Sequence, residues 1–446
     1  MHVPDHIFKS YDIRGAYPAE VNAALAREVG NRLVGMLNAE KVLVLYDARS
    51  SGPELAAAVV EGITSAGAMA MIAGIGPTDL FYYGCATLNC PGIMVTASHN
   101  PPDQNGFKIV RKMPYALSYE EGLSDLRDRI RNEAPLRREV GLKEHVDLRP
   151  GFVEFMARIV GEFDMPRVAV ADPGNGASGP LMVRLRDRLK MRCDVINAEP
   201  DGLFPNRGPD PTKPGALDRL ADEVLEDHAS IGVAFDGDGD RCVAMDPDGK
   251  PIPGDFAAAL LARHALERYP RSKVIYDVRC SHAVRDFVLE AGGTPIVGRV
   301  GHVYMKKRMA DEKAAFAGEV SGHYYFPEFF GADSGLLAGL YLIKLASELG
   351  DRWGEELNRM RRMYHVSGEV NFRVQDARSK MEALQQHFPH VETDGLDGLT
   401  FEMYDWWFNV RSSNTEPLLR LNLEAASADD LKLHVDEVSR ILGAGN

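Results

Sequence analysis

Three short stretches of this chain hold the residue types that phosphoryl chemistry needs. The first is Thr96-Ala-Ser-His-Asn-Pro101, which ends the apolar run 91–95. It puts Ser98 at the carboxyl end of a strand, on a tight Asn-Pro-Pro turn, with His99 beside it and Lys108 shortly after. A serine hydroxyl is a poor nucleophile by itself and needs a base, a metal or a strongly electrophilic partner. His99 and Lys108 are suited to bind a phosphate or to move its proton, so Ser98 is well placed to carry a phosphoryl group.

The second stretch is Asp236-Gly-Asp-Gly-Asp240-Arg241, after the buried strand expected at 230–235. Asp236, Asp238 and Asp240 alternate with glycines that free the backbone, so three carboxylates can turn onto one hard cation. Oxygen ligands favour Mg²⁺ or Mn²⁺ over zinc. An EF-hand is excluded, because its sixth position is Arg241 rather than Gly and its twelfth is Pro247 rather than Glu. Without a cation three such carboxylates would repel one another. Arg241, adjoining the metal, suits a phosphoryl oxygen. The third stretch is Arg411-Ser-Ser-Asn-Thr-Glu-Pro417. It offers a forked cation, the hydroxyls of Ser412, Ser413 and Thr415, the amide of Asn414 and a turn whose N–H groups can form an anion nest, all suited to a second phosphate.

Weaker signals accompany these. In Gly318-Glu-Val-Ser-Gly-His323, Glu319 and Ser321 alternate along a segment expected to be extended, so they should point the same way and suit two sugar hydroxyls. Tyr11 and Arg14 share a bend in 8–15, and Arg279 and His302 follow strand-end loops, where α/β folds bind ligands. Each feature also has an ordinary reading as a polar turn, a capped loop or a surface residue. Their coincidence in one chain points to a protein that moves a phosphoryl group on a phosphorylated sugar.

Positioning them takes several domains, since 446 residues exceed what one core usually holds. Hydrophobic content of 45% and charged content of 26% are those of a soluble globular protein. A formal net charge of -14 argues against nucleic acid or an anionic membrane as partner. The five cysteines, Cys85, Cys90, Cys193, Cys242 and Cys280, form no CxxC pair, which argues against a disulfide framework or zinc site and fits a reducing, cytoplasmic setting. No signal peptide and no membrane-length apolar run is visible, and no obligate protein partner is evident.

One pattern recurs three times: buried strand, aspartate, loop, amphipathic helix, buried strand. It occupies 41–47, 53–66 and 68–73; then 167–172, 179–189 and 193–196; then 273–277, 282–291 and 294–297. Short apolar strands without alternation suit parallel strands covered on both faces. After about 366 the texture changes to an alternating strand at 369–374, a helix at 377–387, a hairpin of 398–403 and 406–410, a strand at 418–424 and a closing helix from Ser427. The expectation is three similar α/β domains with mixed, mainly parallel sheets (1–148, 149–250 and 251–364) and a C-terminal α+β domain (365–446), arranged around a central cleft.

Taken together these residues resemble the α-D-phosphohexomutase superfamily, most closely its bacterial phosphomannomutase/phosphoglucomutase group. The motifs that carry the resemblance are Tyr-Asp-Ile-Arg-Gly near the start, and those at 96–101, 236–241, 318–323 and 411–417. It implies that Ser98 is phosphorylated in the active enzyme, with Asp236, Asp238 and Asp240 as Mg²⁺ ligands and the phosphoserine completing the protein side. It implies Arg241 as a phosphoserine and substrate contact, and Glu319 and Ser321 as readers of the sugar's 3- and 4-hydroxyls. Arg411, Ser413, Asn414 and Thr415 would hold the non-reacting phosphate. Tyr11, Arg14, His99, Lys108 and His302 would line the cleft, Lys108 or a histidine moving protons, with Arg279 and His323 as further substrate contacts. The family usually has lysine where this chain has Arg279, and the two cations differ in geometry.

The implied reaction interconverts hexose 1-phosphate and hexose 6-phosphate of mannose or glucose through a hexose 1,6-bisphosphate, which also serves as activator. Phosphoglucosamine mutase is the nearest alternative, but it usually carries Gln in place of Val320 and Gly in place of Asn414. A serine-nucleophile phosphatase and a catalytically silent sugar-phosphate-binding protein are more distant ones.

Overall fold

The computed structural model describes residues 3–412 and 418–443. Three times along it a short apolar strand meets a buried aspartate: Lys41–Tyr46 before Asp47, Ala169–Asp172, and Lys273–Asp277. A helix returns the chain to a second strand, parallel to the first. Gly52–Ser65 leads to Met69–Ile75, Gly179–Leu189 to Cys193–Val195, and His282–Glu290 to Thr294–Gly298. In the first of these helices Leu55, Val59 and Ile63 recur every four residues and are buried, a stripe that faces the sheet.

Another helix then crosses to a third parallel strand on the other side of the first. These strands are Gly92–Val95, Ile231–Phe235 and Phe316–Gly318. The following strand runs back antiparallel to it: Gln104–Lys112, Cys242–Met245 and Tyr324–Phe326. Each sheet is therefore mixed, with a parallel part in the order second, first, third, followed by antiparallel strands. The first has seven strands and the other two have five each. The turn from the third strand to the returning one is in every case a stretch singled out for chemistry: 96–103, 236–241 and 319–323. One position of a repeated fold carries the serine, the acidic triad and the Glu-Val-Ser-Gly-His motif.

One expectation is corrected here. Residues 319–323 are not extended. Glu319 N donates to His323 O at 3.0 Å and Gly322 N to Glu319 O at 3.1 Å, which closes a tight turn. Strand alternation therefore does not set the directions of Glu319 and Ser321; the turn does.

The fourth unit is a six-stranded sheet, antiparallel throughout the described residues, under the helices Ala377–His387 and Ala428–Gly443. The expected hairpin is formed by Leu399–Glu402 and Trp406–Ser412. This unit buries its own apolar cluster, which includes Phe401, Phe408, Leu421 and Val438. The first three units instead share one cluster, in which Phe81 and Tyr82 join Met156, Phe235, Leu337 and Tyr341. Helix Gly335–Leu349, which follows the third sheet, packs on the second sheet so closely that a Cβ at Gly335 would lie 2.4 Å from Gly239 O. No described helix is long and apolar enough to cross a membrane.

Candidate active site

Ser98 sits just past its strand with φ 51°, a left-handed conformation that costs a non-glycine residue on the order of 1–3 kcal/mol. Its N–H donates to Thr96 Oγ1 at 2.8 Å, and its hydroxyl donates to Asp236 Oδ2 at 2.7 Å, with His99 Nδ1 at 3.2 Å. Arg14 reaches the same loop from the first unit's edge strand, bonding Ala97 O at 3.2 Å and Asn100 Oδ1 at 3.0 Å. The serine and acidic loops touch directly: a Cβ on Gly237 would stand 2.6 Å from Ser98 O. Glycine at 237 is thus required by the approach of two backbones.

The acidic loop is buried, and one oxygen from each of Asp236, Asp238 and Asp240 lies within 4.8 Å of the others. Lys108 Nζ donates to Asp238 Oδ2 at 2.6 Å and to Asp240 Oδ2. Two oxygens, Asp238 Oδ1 and Asp240 Oδ1, are buried without a hydrogen-bond partner among the described residues. Burial, then repulsion by Asp240 and Asp238, pushes Asp236 well above the usual carboxylate range. Burial acts the same way on Asp240, but Lys108, His323 and Arg241 outweigh it and hold that carboxyl well below the range. Three buried carboxylates that cannot all be ionised together, with hard oxygens left over, fit a divalent cation.

Lys108 is buried, yet Asp238 and Asp240 raise its pKa above the ordinary lysine value, so it is a fixed cation. His99 is driven well below the usual imidazole range by Arg241 first, then by burial and Arg14. His302, at the start of helix His302–Glu312, is held well below it by burial, Lys306 and Lys108, and its Nδ1 has no partner among the described residues. Both rings are neutral at neutral pH.

These groups open on one cleft of about 680 Å³. The first unit contributes Tyr11, Arg14, Ser98, His99 and Lys108; the second Asp240 and Arg241; the third Arg279, His302, Glu319, Ser321 and His323. Glu319 is fixed by Gly301 N at 2.7 Å and Tyr325 Oη at 2.5 Å, and Ser321 Oγ lies 2.9 Å from His323 Nδ1. Tyr11 Oη donates to Val300 O at 3.1 Å across the first and third units. Arg279 is bound to Asp277 through Nε at 2.9 Å and NH2 at 2.7 Å. Asp236 and Asp238 lie below the cleft wall. Arg411 is buried on the fourth unit, 3.5 Å from Glu369 Oε2. Ser413, Asn414 and Thr415 lie outside the described residues.

The sequence matches the four models of the phosphoglucomutase/phosphomannomutase family in order: alpha/beta/alpha domain I over 5–135, domain II over 152–249, domain III over 253–364 and the C-terminal domain over 369–441. The chain belongs to the phosphoglucomutase/phosphomannomutase family. It is 36% identical over 441 residues to a protein of Xanthomonas campestris named for phosphohexose mutases, an alignment covering 98% of each chain. It is 34% identical over 430 residues to the phosphomannomutase of Escherichia coli, covering 94% of each. The crystal structure of a phosphoglucomutase/phosphomannomutase family protein from Burkholderia thailandensis superposes with a TM-score of 0.90 at 32% identity, covering 100% of this chain and 99% of that one. The protein is a phosphohexomutase.

The mutase cleft also holds residues that reading the motifs missed. Arg420 lines it and lies directly opposite Arg411 in the antiparallel pair Trp406–Ser412 and Leu418–Ala425. Glu369 Oε1 accepts from Arg420 NH1 at 2.8 Å, and Glu369 Oε2 lies 3.9 Å from Arg279 NH1. Like charges directly across a sheet are unfavourable unless an anion intervenes. Pairing the two expected strands through the 411–417 turn would have found Arg420.

Proposed function

We propose that the enzyme interconverts the 1- and 6-phosphates of mannose and of glucose through phospho-Ser98 and a hexose 1,6-bisphosphate, which also acts as its activator. The observation that carries this reading is the layout of one cleft. The Ser98 hydroxyl, 2.7 Å from Asp236, stands at the acidic triad, and arginines from the third and fourth units stand together elsewhere on its wall. We take the four working units to be 1–148, 149–250, 251–364 and 365–446.

In the forward step the P–Oγ bond of phospho-Ser98 breaks as a bond forms between phosphorus and the sugar's free hydroxyl oxygen. The hydroxyl's proton passes to a neutral imidazole, for which His302 Nδ1 and His99 are the candidates; Lys108 stays charged and faces the transferring oxygens with Arg14 and Arg241. The bisphosphate then turns end for end, its other phosphoryl group returns to Ser98 Oγ, and the proton goes back to the oxygen left on the sugar. Asp236, Asp238 and Asp240 would hold Mg²⁺, which when bound neutralises charge on the moving phosphoryl group. Arg411, with Ser413, Asn414 and Thr415 on its loop, binds the phosphate that is not transferred. Glu319 and Ser321 bond the 3- and 4-hydroxyls, which mannose and glucose share; Tyr11, Arg279 and His323 contact the sugar. The five unpaired, buried cysteines support a cytoplasmic setting, and the net negative charge is compatible with a phosphosugar held by local cations.

A coupled assay with mannose 1-phosphate, glucose 1-phosphate and glucosamine 1-phosphate in parallel tests the reading. Turnover of the first two with formation of the 6-phosphates is expected. Activity on glucosamine 1-phosphate alone would move the assignment to phosphoglucosamine mutase, and release of free inorganic phosphate would move it to a phosphatase.

A further inference from the structure

We propose that Arg49 is a positioning residue for phosphoryl transfer: it clamps the 98–104 loop so that Ser98, in its left-handed conformation, aims its oxygen at the acidic triad. The inference rests on the reading of Ser98 as the phosphoryl carrier. Arg49 does not line the cleft and bonds none of the triad carboxylates, and its side chain is fully buried. All five of its guanidinium N–H groups have an acceptor. Nε donates to Asp47 Oδ2 at 3.2 Å. NH1 donates to Pro101 O at 2.6 Å and Gln104 O at 2.9 Å, and NH2 to Ser98 O at 2.8 Å and Asn100 O at 2.6 Å. A planar fork with five fixed donors can hold four carbonyls of one loop at once, and no other side chain can.

Asp47 completes the clamp. Its Oδ2 accepts from Thr96 Oγ1 at 2.7 Å, and Thr96 Oγ1 in turn accepts the Ser98 N–H. The two polar groups of the strained Ser98 peptide are therefore held from below, the N–H through Thr96 and the carbonyl through Arg49. The repeat of the fold supports a role in loop placement. In the second unit Asp172 at the equivalent strand end accepts from Arg207 Nε at 2.6 Å, and Arg207 bonds Phe235 O, the residue before the acidic triad. In the third, Asp277 pairs with Arg279 and accepts from Val320 N at 3.0 Å, inside the sugar turn. Arg207 lies far along the chain from the position that Arg49 and Arg279 share, yet it converges on the same arrangement. A strand-end Asp–Arg pair thus fixes the chemistry-bearing turn in every unit, and the first unit's pair makes the most bonds to it. Phe204 of the second unit lies against Arg49 at 5.5 Å and against Gly237, which links the clamp to the triad's own loop.

The test compares Arg49→Met, Arg49→Lys and Thr96→Val with the wild type in full-length protein. The rate of Ser98 phosphorylation by glucose 1,6-bisphosphate is followed by intact mass, and kcat and KM are measured with glucose 1-phosphate. Misplacing a reacting atom by about 1 Å costs on the order of 10²-fold, so both kcat and the phosphorylation rate of Arg49→Met should fall by about that factor while KM moves by less than about threefold. Arg49→Lys keeps the charge and fewer bonds and should recover part of the loss. Thr96→Val leaves Arg49 in place, removes the bonds of Thr96 to the Ser98 N–H, Asp47 and Asp238, and should lose roughly tenfold in kcat at unchanged KM. It carries the test if Arg49→Met fails to fold. Wild-type phosphorylation and kcat in Arg49→Lys and Thr96→Val would overturn the clamp, and so would a loss confined to KM. A wild-type enzyme that turns over without ever gaining mass at Ser98 would instead overturn the carrier assignment beneath it.

Discussion

The first three units and the fourth are joined in different ways. Among the first three an apolar cluster runs across the boundaries, and buried polar pairs pin it. Lys306 Nζ bonds Tyr82 Oη and Asp333 Oδ1 at 2.8 Å each, Thr78 Oγ1 bonds Asp238 Oδ2 at 2.9 Å, and Ser334 bonds Asp79. No described apolar residue beyond Tyr364 joins that cluster. The fourth unit meets the third through polar groups: Val300 N to Asp397 Oδ2 at 2.9 Å, His282 N to Glu424 Oε1 at 3.3 Å, and the His282 ring stacked on Trp407 at 5.4 Å. Polar contacts exchange readily for water, whereas breaking a shared core exposes apolar surface that then drives it closed. The serine, the triad and the 319–323 turn thus belong to units that share one apolar cluster, and Arg411 belongs to a unit with its own cluster, which we expect to be the part that can swing. On the proposed mechanism, a bisphosphate that turns end for end would be served by that division.

The largest effect should come from the rigid side. Ser98→Ala removes the carrier and should reduce turnover to background, while the protein still binds glucose 1-phosphate, since the arginines on the fourth unit are intact. Intact mass after incubation with glucose 1,6-bisphosphate should show one added phosphoryl group in the wild type and none in the variant. Turnover by the variant would place the chemistry elsewhere. Removal of the metal comes next. Chelation should abolish activity and added Mg²⁺ restore it. Asp238→Asn, which takes one charge from the triad, should weaken Mg²⁺ binding by calorimetry and lower kcat. Normal metal affinity in that variant would remove Asp238 from the ligand set.

The rigid side was also the more legible in sequence. The runs 42–46 and 274–276 are uninterrupted apolar stretches each followed by Asp, and the serine and triad loops are local strings whose spacing carries the chemistry. What the string could not display is distance. Nothing between 47 and 104 announces that Arg49 gathers four carbonyls of the serine loop, because backbone acceptors leave no trace in residue types. The helix Gly335–Leu349 reads as apolar without saying which sheet it covers. The sugar turn was misread because Glu-Val-Ser also alternates like a strand; Gly322, with φ 87°, marks the reversal. On the fourth unit Arg411 and Arg420 come from two paired strands and Glu369 from the residue before a third, so their meeting depends on strand register.

On the swinging side the effects should be smaller and of another kind. On the proposed reading Arg411→Ala removes a forked cation from a phosphate that does not react. Hydrogen bonds to charged groups contribute ~1.5–3 kcal/mol, so kcat/KM should fall roughly 10- to 100-fold, chiefly through KM. Ser98 phosphorylation and Mg²⁺ binding should be untouched. The only covalent link to the fourth unit is a single pass through Tyr364 to Gly368. Small-angle scattering with glucose 1-phosphate should therefore show a more compact wild type and no change in Arg411→Ala. Unchanged kinetics would take Arg411 out of the site; unchanged wild-type scattering would remove only the closure.

The smallest effect concerns the polar junction itself. Glu424 of the fourth unit is buried against Ser281 and His282 of the third, with Trp407 Nε1 donating to it at 3.3 Å and Asp255 and Tyr364 nearby. Burial pushes its carboxyl above the ordinary value of 4.5, against the bonds from Ser281, His282 and Trp407 that favour its charge. When the fourth unit swings away, water reaches Glu424 and its pKa returns toward that value. The docked state then binds the proton more tightly than the open one. Docking is accordingly strongest in acid, below the open-state value, and loses this contribution as pH rises through the raised docked value. Asp255, pushed up to about 6 chiefly by burial and in part by Glu424, lies within the third unit and is bonded there by Ser281 N and Phe256 N. Hydrogen exchange at the His282 N–H, corrected for its intrinsic pH dependence, should slow as pH falls across this range. Glu424→Gln keeps the acceptor oxygen without the charge and should flatten that dependence. An equally steep dependence in Glu424→Gln would assign the junction's titration to another group, and faster exchange in acid would reverse the sign argued for Glu424.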